Sequence, residues 1–123
     1  MMQQPAYIAV IDDDESIRES LPDLIGMFGY VARAFSSAEE YLAADLLDQT
    51  RCLVLDIGMS GMSGIELQQE LTRRGRTIPI VFITAQGDEQ FCRQLRRSGS
   101  VECLLKPFTD TALLDALEAV LQP

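Results

Sequence analysis

Asp12-Asp13-Asp14-Glu15 is the densest run of acid in this chain of 123 residues, and Lys106 is the only lysine among its ten basic residues. Between them lie Asp56 and Thr84. Each has a mundane reading on its own. Acids near a helix amino end are favoured by ~0.3–1 kcal/mol each, Asp56 could close a turn, and Thr84 and Lys106 could be solvated loop residues. Jointly they are more specific. Crowded carboxylates are hard to keep ionised without a cation. A hard divalent ion with oxygen ligands, Mg²⁺ above all, relieves the repulsion while keeping several waters. A metal-clamped carboxylate, a hydroxyl and an ammonium suit phosphoryl transfer: the carboxylate is the nucleophile, and the cations stabilise charge on the transferring oxygens.

That chemistry requires the residues to meet, and the apolar runs say where. Ala6–Ile11 precedes the acidic run, Cys52–Leu55 ends on Asp56, Ile78–Ile83 ends on Thr84-Ala85, and Val101–Leu105 ends on Lys106-Pro107. A further run, Tyr30–Phe35, makes five strand candidates. Helix patterns alternate with them. Ser16-Ile17-Arg18-Glu19 reads as a capping box, followed by Ile17, Leu21, Leu24, Ile25 and Phe28 on one face, with Gly29 as the stop. Pro22 inside that helix predicts a kink or a distorted first turn. Ser37 opens a short helix with Tyr41 and Leu42, and a loop holding Gly58, Gly61 and Gly64 leads into a helix through Ile65, Leu67 and Leu71. Asp88 can cap a helix with Phe91, Cys92 and Leu95, and Thr109 caps a last one bearing Leu113, Leu114, Leu117, Val120 and Leu121. Nearly continuous apolar strands fit parallel strands buried on both faces. Five β-α units predict an α/β, doubly wound parallel sheet with helices on both sides. Such sheets place ligands outside the carboxyl ends of their strands, which is where all the candidate residues fall.

Composition narrows the rest. Nineteen acidic residues leave a net charge of −9, which argues against this domain gripping a nucleic-acid backbone itself. The absence of histidine excludes a Ser-His or Cys-His dyad and a phosphohistidine on this chain. Three cysteines without C-x-x-C spacing suggest neither a disulfide framework nor a zinc site. No apolar run approaches the ~20 residues of a membrane span, so a soluble, cytoplasmic domain is expected, with no membrane partner.

The residues resemble the receiver domain of two-component response regulators. The resemblance runs from Ile8 to Leu121 and rests on Ile11-Asp12-Asp13-Asp14 with Arg18, Leu55-Asp56 with Met59 and Gly64, Thr84-Ala85, and Lys106-Pro107-Phe108. It implies five parallel strands in the flavodoxin-like order 2-1-3-4-5 with five helices, one receiver domain over 1–123, and any effector domain beyond it. It further implies that Asp56 accepts a phosphoryl group from a sensor histidine kinase or phosphotransfer protein. Asp13 and Asp56 would ligate Mg²⁺ by side chain, Gly58 by its carbonyl, and Asp12 through water. Lys106 would pair with the phosphoryl group or, before transfer, with Asp56. The Thr84 hydroxyl and the N–H groups of Gly58 and Ala85 would hold the phosphoryl oxygens. Asp14 and Glu15 stay outside the metal set as capping acids. The output and dimerisation surface would be the fourth helix, fifth strand and fifth helix, where Arg93, Arg96 and Arg97 lie. The function expected is a signalling module, not an enzyme beyond its own phosphoryl transfer and dephosphorylation.

Some positions depart from the family pattern. Ser60 replaces a frequent proline, which predicts a looser loop. Cys103 stands where the family places Tyr or Phe; with Thr84 it is the switch pair, and a cysteine cannot sweep an aromatic ring's volume, so weak coupling to output is expected. Gly58, two after the acceptor, and Gln86, two after Thr84, are lifetime positions. Glycine there cannot orient an attacking water, which predicts a long-lived phosphoryl group. Two alternatives are a degenerate receiver serving as a phosphorylation-independent scaffold and a small aspartyl phosphohydrolase. The second lacks the acid–base at position 58.

Overall fold

The computed structural model describes residues 7–59, 61–85, 89–97 and 101–121. Its elements run β1 (Tyr7–Ile11), α1 (Glu15–Met27), β2 (Val31–Phe35), α2 (Ala38–Ala43), β3 (Thr50–Asp56), α3 (Gly64–Arg73), β4 (Ile80–Thr84), α4 (Glu89–Arg96), β5 (Val101–Leu105) and α5 (Asp110–Leu121), with one 3-10 turn at Leu47–Gln49. The five strands form one parallel sheet in the order β2-β1-β3-β4-β5.

Alternation along the strands divides the core into two layers. Ala9, Ile11, Leu53, Leu55, Phe82 and Cys103 face Tyr41 of α2, Leu67 and Leu71 of α3, and Cys92 of α4. Ile8, Val10, Cys52, Val54, Val81 and Ile83 face Leu21 and Ile25 of α1, with Leu113 and Leu117 of α5. Both faces of the central strands are therefore dry, as their unbroken apolar sequence requires.

Helix starts follow side-chain capping, with one correction. The Asp14 carboxylate accepts from the Ser16 N–H, so α1 begins at Glu15 with Asp14 as its cap. The capping box expected at Ser16–Glu19 is two residues too late, because Ser16 already lies inside the first turn. Pro22 does not interrupt α1, which stays one α-helix through Met27. Ser37 caps α2, and the Thr109 hydroxyl accepts from Ala112 N–H at the start of α5. Ser63 and Glu66 form a reciprocal capping box on α3, a spacing the sequence displays in Ser63-Gly64-Ile65-Glu66. Asp88, Gln86 and Ser60, to which expectations attach, lie outside the described residues.

A second correction concerns sulfur. Cys92 of α4 and Cys103 of β5 are joined by a disulfide, with Cα atoms 5.5 Å apart. Only Cys52 is a free thiol. Sequence spacing gave no hint of the pair because docking of α4 on the sheet, not chain proximity, brings them together.

Candidate functional site

Asp12 follows β1 directly, and its N–H donates to the Phe35 carbonyl at 3.1 Å. That bond carries the chain one residue past the strand before it turns. The Asp12 side chain is fully buried. Its Oδ1 accepts from Asp14 N–H at 2.9 Å, and Arg18 Nη1 donates to its carbonyl at 3.0 Å. Asp12 is thus gripped from both sides by the start of α1, while Asp13 remains exposed.

Asp56 is the last residue of β3 and 9% exposed. The Ile57 N–H donates to the Ile83 carbonyl at 3.0 Å, which holds the turn after Asp56 against β4. The Gly58 N–H donates to Asp56 Oδ1 at 3.1 Å and sets the carboxylate's orientation. Gly64, at the start of α3, presses on the same turn: a Cβ there would lie 2.7 Å from the Asp56 carbonyl oxygen and 3.2 Å from Ile57 Cα. Only glycine allows α3 to come this close.

Lys106 reaches the site from the end of β5. Its N–H donates to the Thr84 carbonyl at 2.8 Å, which continues the β4–β5 ladder one step and ties the lysine to the threonine. The ammonium lies 3.1 Å from Asp12 Oδ2 and 3.9 Å from Asp56 Oδ2. The expected resting partner was Asp56; in the structure the buried Asp12 holds the tighter place, and Asp56 is the looser contact. Thr84 is buried at the end of β4, and Ala85 follows it at the surface. The peptide between Lys106 and Pro107 is cis.

The electrostatics of the cluster are unbalanced. Burial raises the Asp56 carboxyl above the usual carboxylate range; the Gly58 N–H and the Lys106 charge pull it back, and the Asp12 charge pushes it further up. Burial lowers the Lys106 ammonium, but its close polar contact and charge interaction with Asp12, aided by Asp56 and Asp14, more than reverse this and hold it above the ordinary lysine value. One ammonium thus serves two buried carboxylates.

Asp12, Asp13 and Asp56 offer carboxylate oxygens that all lie within 4.8 Å of one another. Asp12 Oδ2 has no hydrogen bond of adequate geometry despite its burial and its ion pair with Lys106. Oxygen donors at this spacing, with a buried oxygen left under-satisfied, fit a hard divalent cation. The arrangement can polarise and hold a dianionic group against a carboxylate nucleophile.

Of the candidate site residues, Asp12, Asp13, Asp56, Gly58, Thr84, Ala85 and Lys106 thus gather at one edge of the sheet, and Cys103 does not. Cys103 sits three residues earlier on β5, opposite Phe82 of β4, and is consumed in the disulfide. Sequence reasoning missed Glu39, whose carboxylate accepts from Met62 N–H at 3.0 Å and so ties α2 to the loop beyond Asp56.

The sequence model of the response regulator receiver domain matches residues 8–118. Nodulation protein W of Bradyrhizobium diazoefficiens is 44% identical over 114 residues, covering 93% of this chain and 50% of that protein. The solved response regulator StyR superposes with a TM-score of 0.86 at 45% identity, covering 97% of this chain and 60% of that one. The FixJ-N structure gives 0.80 at 33% identity, with 96% and 94% covered. The chain spans about half the length of the curated relatives it matches. From its fold, its acid–lysine cluster and this match over most of its length, the chain belongs to the response regulator receiver domain family.

Proposed function

We propose that this domain accepts a phosphoryl group from a histidine kinase, or from a phosphotransfer protein, onto Asp56 in a Mg²⁺-dependent step. The observation that carries this reading is the Asp56 carboxylate itself. It is oriented by Gly58 N–H, lies 3.9 Å from the Lys106 ammonium, and shares a 4.8 Å oxygen cluster with Asp12 and Asp13. In the transfer, a bond forms between an Asp56 oxygen and phosphorus while the bond to the donor nitrogen breaks. Lys106, anchored by Asp12, needs only to swing from carboxylate to phosphoryl oxygen. The Gly58 N–H can pass from Asp56 Oδ1 to the incoming group, joined by the Ala85 N–H and the Thr84 hydroxyl. Asp13, Asp56, the Gly58 carbonyl and, through water, Asp12 would hold Mg²⁺, which when bound neutralises charge on the phosphoryl oxygens. Gly58 supports a slow return to the free acid.

The domain is then a cytoplasmic signalling module whose output, or homodimer contact, runs through α4, β5 and α5. An effector region beyond residue 123, and not this acidic domain, would meet any nucleic acid. Labelling with acetyl phosphate and Mg²⁺ is the direct test. We expect stoichiometric, hydroxylamine-labile phosphate on the native chain and none on Asp56→Asn. Equal incorporation by the two proteins, or none by either, would overturn the assignment.

A further inference from the structure

Beyond the phosphoacceptor reading, and independently of it, we propose that Cys92 and Cys103 form a reversible thiol–disulfide modification site that fastens α4 to β5. Three observations support it. First, the Cα atoms of the pair are 5.5 Å apart, inside the range that bridged cysteines occupy, so closure needs no movement of the backbone. Second, the bridge sits at the seam between α4 and the sheet. Of the described side chains of α4, Glu89, Gln90, Arg93 and Gln94 are exposed, Leu95 is half-buried, and only Cys92 is buried. A surface helix opens locally at a free energy below that of global unfolding. Opening brings both sulfurs, otherwise 3% and 2% exposed, within reach of a small thiol or disulfide. Third, the remaining cysteine is set apart. Cys52 is fully buried on the opposite face of the sheet, and burial pushes its thiol up to about 12, which keeps it out of exchange chemistry.

The chemistry is exchange with a low-molecular-weight disulfide as oxidant. One thiolate attacks the small disulfide, forming a mixed disulfide and releasing one small thiol. The second protein thiolate then attacks the mixed disulfide, closing the Cys92–Cys103 bond and releasing the other. The protein loses two electrons and two protons, and the small disulfide is reduced to two thiols. A dithiol reverses the sequence.

The full chain is equilibrated with oxidised or reduced glutathione and alkylated under denaturing conditions. Hydrogen exchange over 89–97 is followed in parallel. After oxidation we expect alkylation at Cys52 alone, a linked Cys92–Cys103 peptide pair, and exchange in α4 slowed by about tenfold or more by the constraint of the closed loop. After reduction all three cysteines label and the slow exchange is lost. Cys52→Ser retains the oxidised behaviour, and Cys92→Ala abolishes it. Cys92 is the choice because its loss leaves β5 intact, and circular dichroism checks the fold. Three alkylated cysteines after oxidation, a stable mixed disulfide on one cysteine only, or identical exchange of α4 in both states would overturn the proposal.

Discussion

At the residue scale, the site is built from carboxylates that the fold does not satisfy. Asp12 and Asp56 share one ammonium, at 3.1 and 3.9 Å. Because burial raises the Asp56 carboxyl, the folded protein binds more protons there than the unfolded chain. Its ionised form therefore costs stability as pH rises through and above the ordinary carboxylate range. Asp56→Asn should raise the melting temperature at pH 7 in chelator by roughly 2–6 °C, with the gain shrinking as acid protonates the native carboxyl. Mg²⁺ should stabilise the native chain by mass action and do less for the variant. A calorimetric melt in four conditions checks both, and a destabilised Asn variant would contradict the crowding argument. Gly64 is the opposite kind of residue, required for its missing side chain. Gly64→Ala sets a Cβ 2.7 Å from the Asp56 carbonyl oxygen, and overpacking of this kind costs about 1–3 kcal/mol. Urea unfolding should show that loss, and acetyl phosphate labelling should slow because the turn carrying Asp56 has moved.

At the scale of elements, what was legible in the sequence depended on how local the determining interaction is. The central strands β1, β3 and β4 were legible because burial on both faces leaves nearly unbroken apolar runs, each ending at or just before a candidate site residue. The start of α1 was legible only in part: Asp14 reads as a capping acid, but Ser16 is also a good cap, and the chain's path after Asp12 chooses between them. The preference of Lys106 for Asp12 joins β5 to β1 across the sheet and has no local signature. Neither does the disulfide, whose cysteines sit on different elements 11 residues apart. The carboxyl end of α3 carries a local signature that does reach function-neutral chemistry. Glu70 takes Arg73 and Arg74 at 2.6 and 2.7 Å, and their hydrogen bonds lower its carboxyl to about 2. The pairing is therefore complete above the ordinary glutamate value and is lost as pH falls toward 2. The arginines are exposed and Glu70 lies at the surface, half-buried, so salt screens the pairs. A nuclear magnetic resonance titration should place the Glu70 midpoint near 2 in dilute buffer and higher in concentrated salt, and Glu70→Gln should fray the last turn of α3 without affecting the phosphoacceptor site.

At the scale of the whole molecule, the disulfide lies close to the strands that carry the site's threonine and lysine. Thr84 and Phe82 lie on β4, and the Phe82 partner on β5 is Cys103, three residues before Lys106. On the proposed reading, a signal passing from Asp56 through Thr84 toward the α4–β5 face would cross ground that the Cys92–Cys103 bond holds fixed. In the chain-entropy account, a loop of this length contributes about 3 kcal/mol through the unfolded state. Reduction should thus lower the melting temperature by roughly 10 °C. On that reading the same bond would limit the response of α4. Phosphorylated with acetyl phosphate in its oxidised form, the domain should show amide shift changes confined to the ends of β3 and β4 and to Lys106. In its reduced form the changes should extend over 89–105, though less than an aromatic ring at position 103 would produce, since a thiol displaces little volume. Amide spectra of the phosphorylated chain with and without dithiothreitol decide the matter: equal perturbation of α4 in the two states would show that the bridge and the phosphoryl group act on separate parts of the molecule.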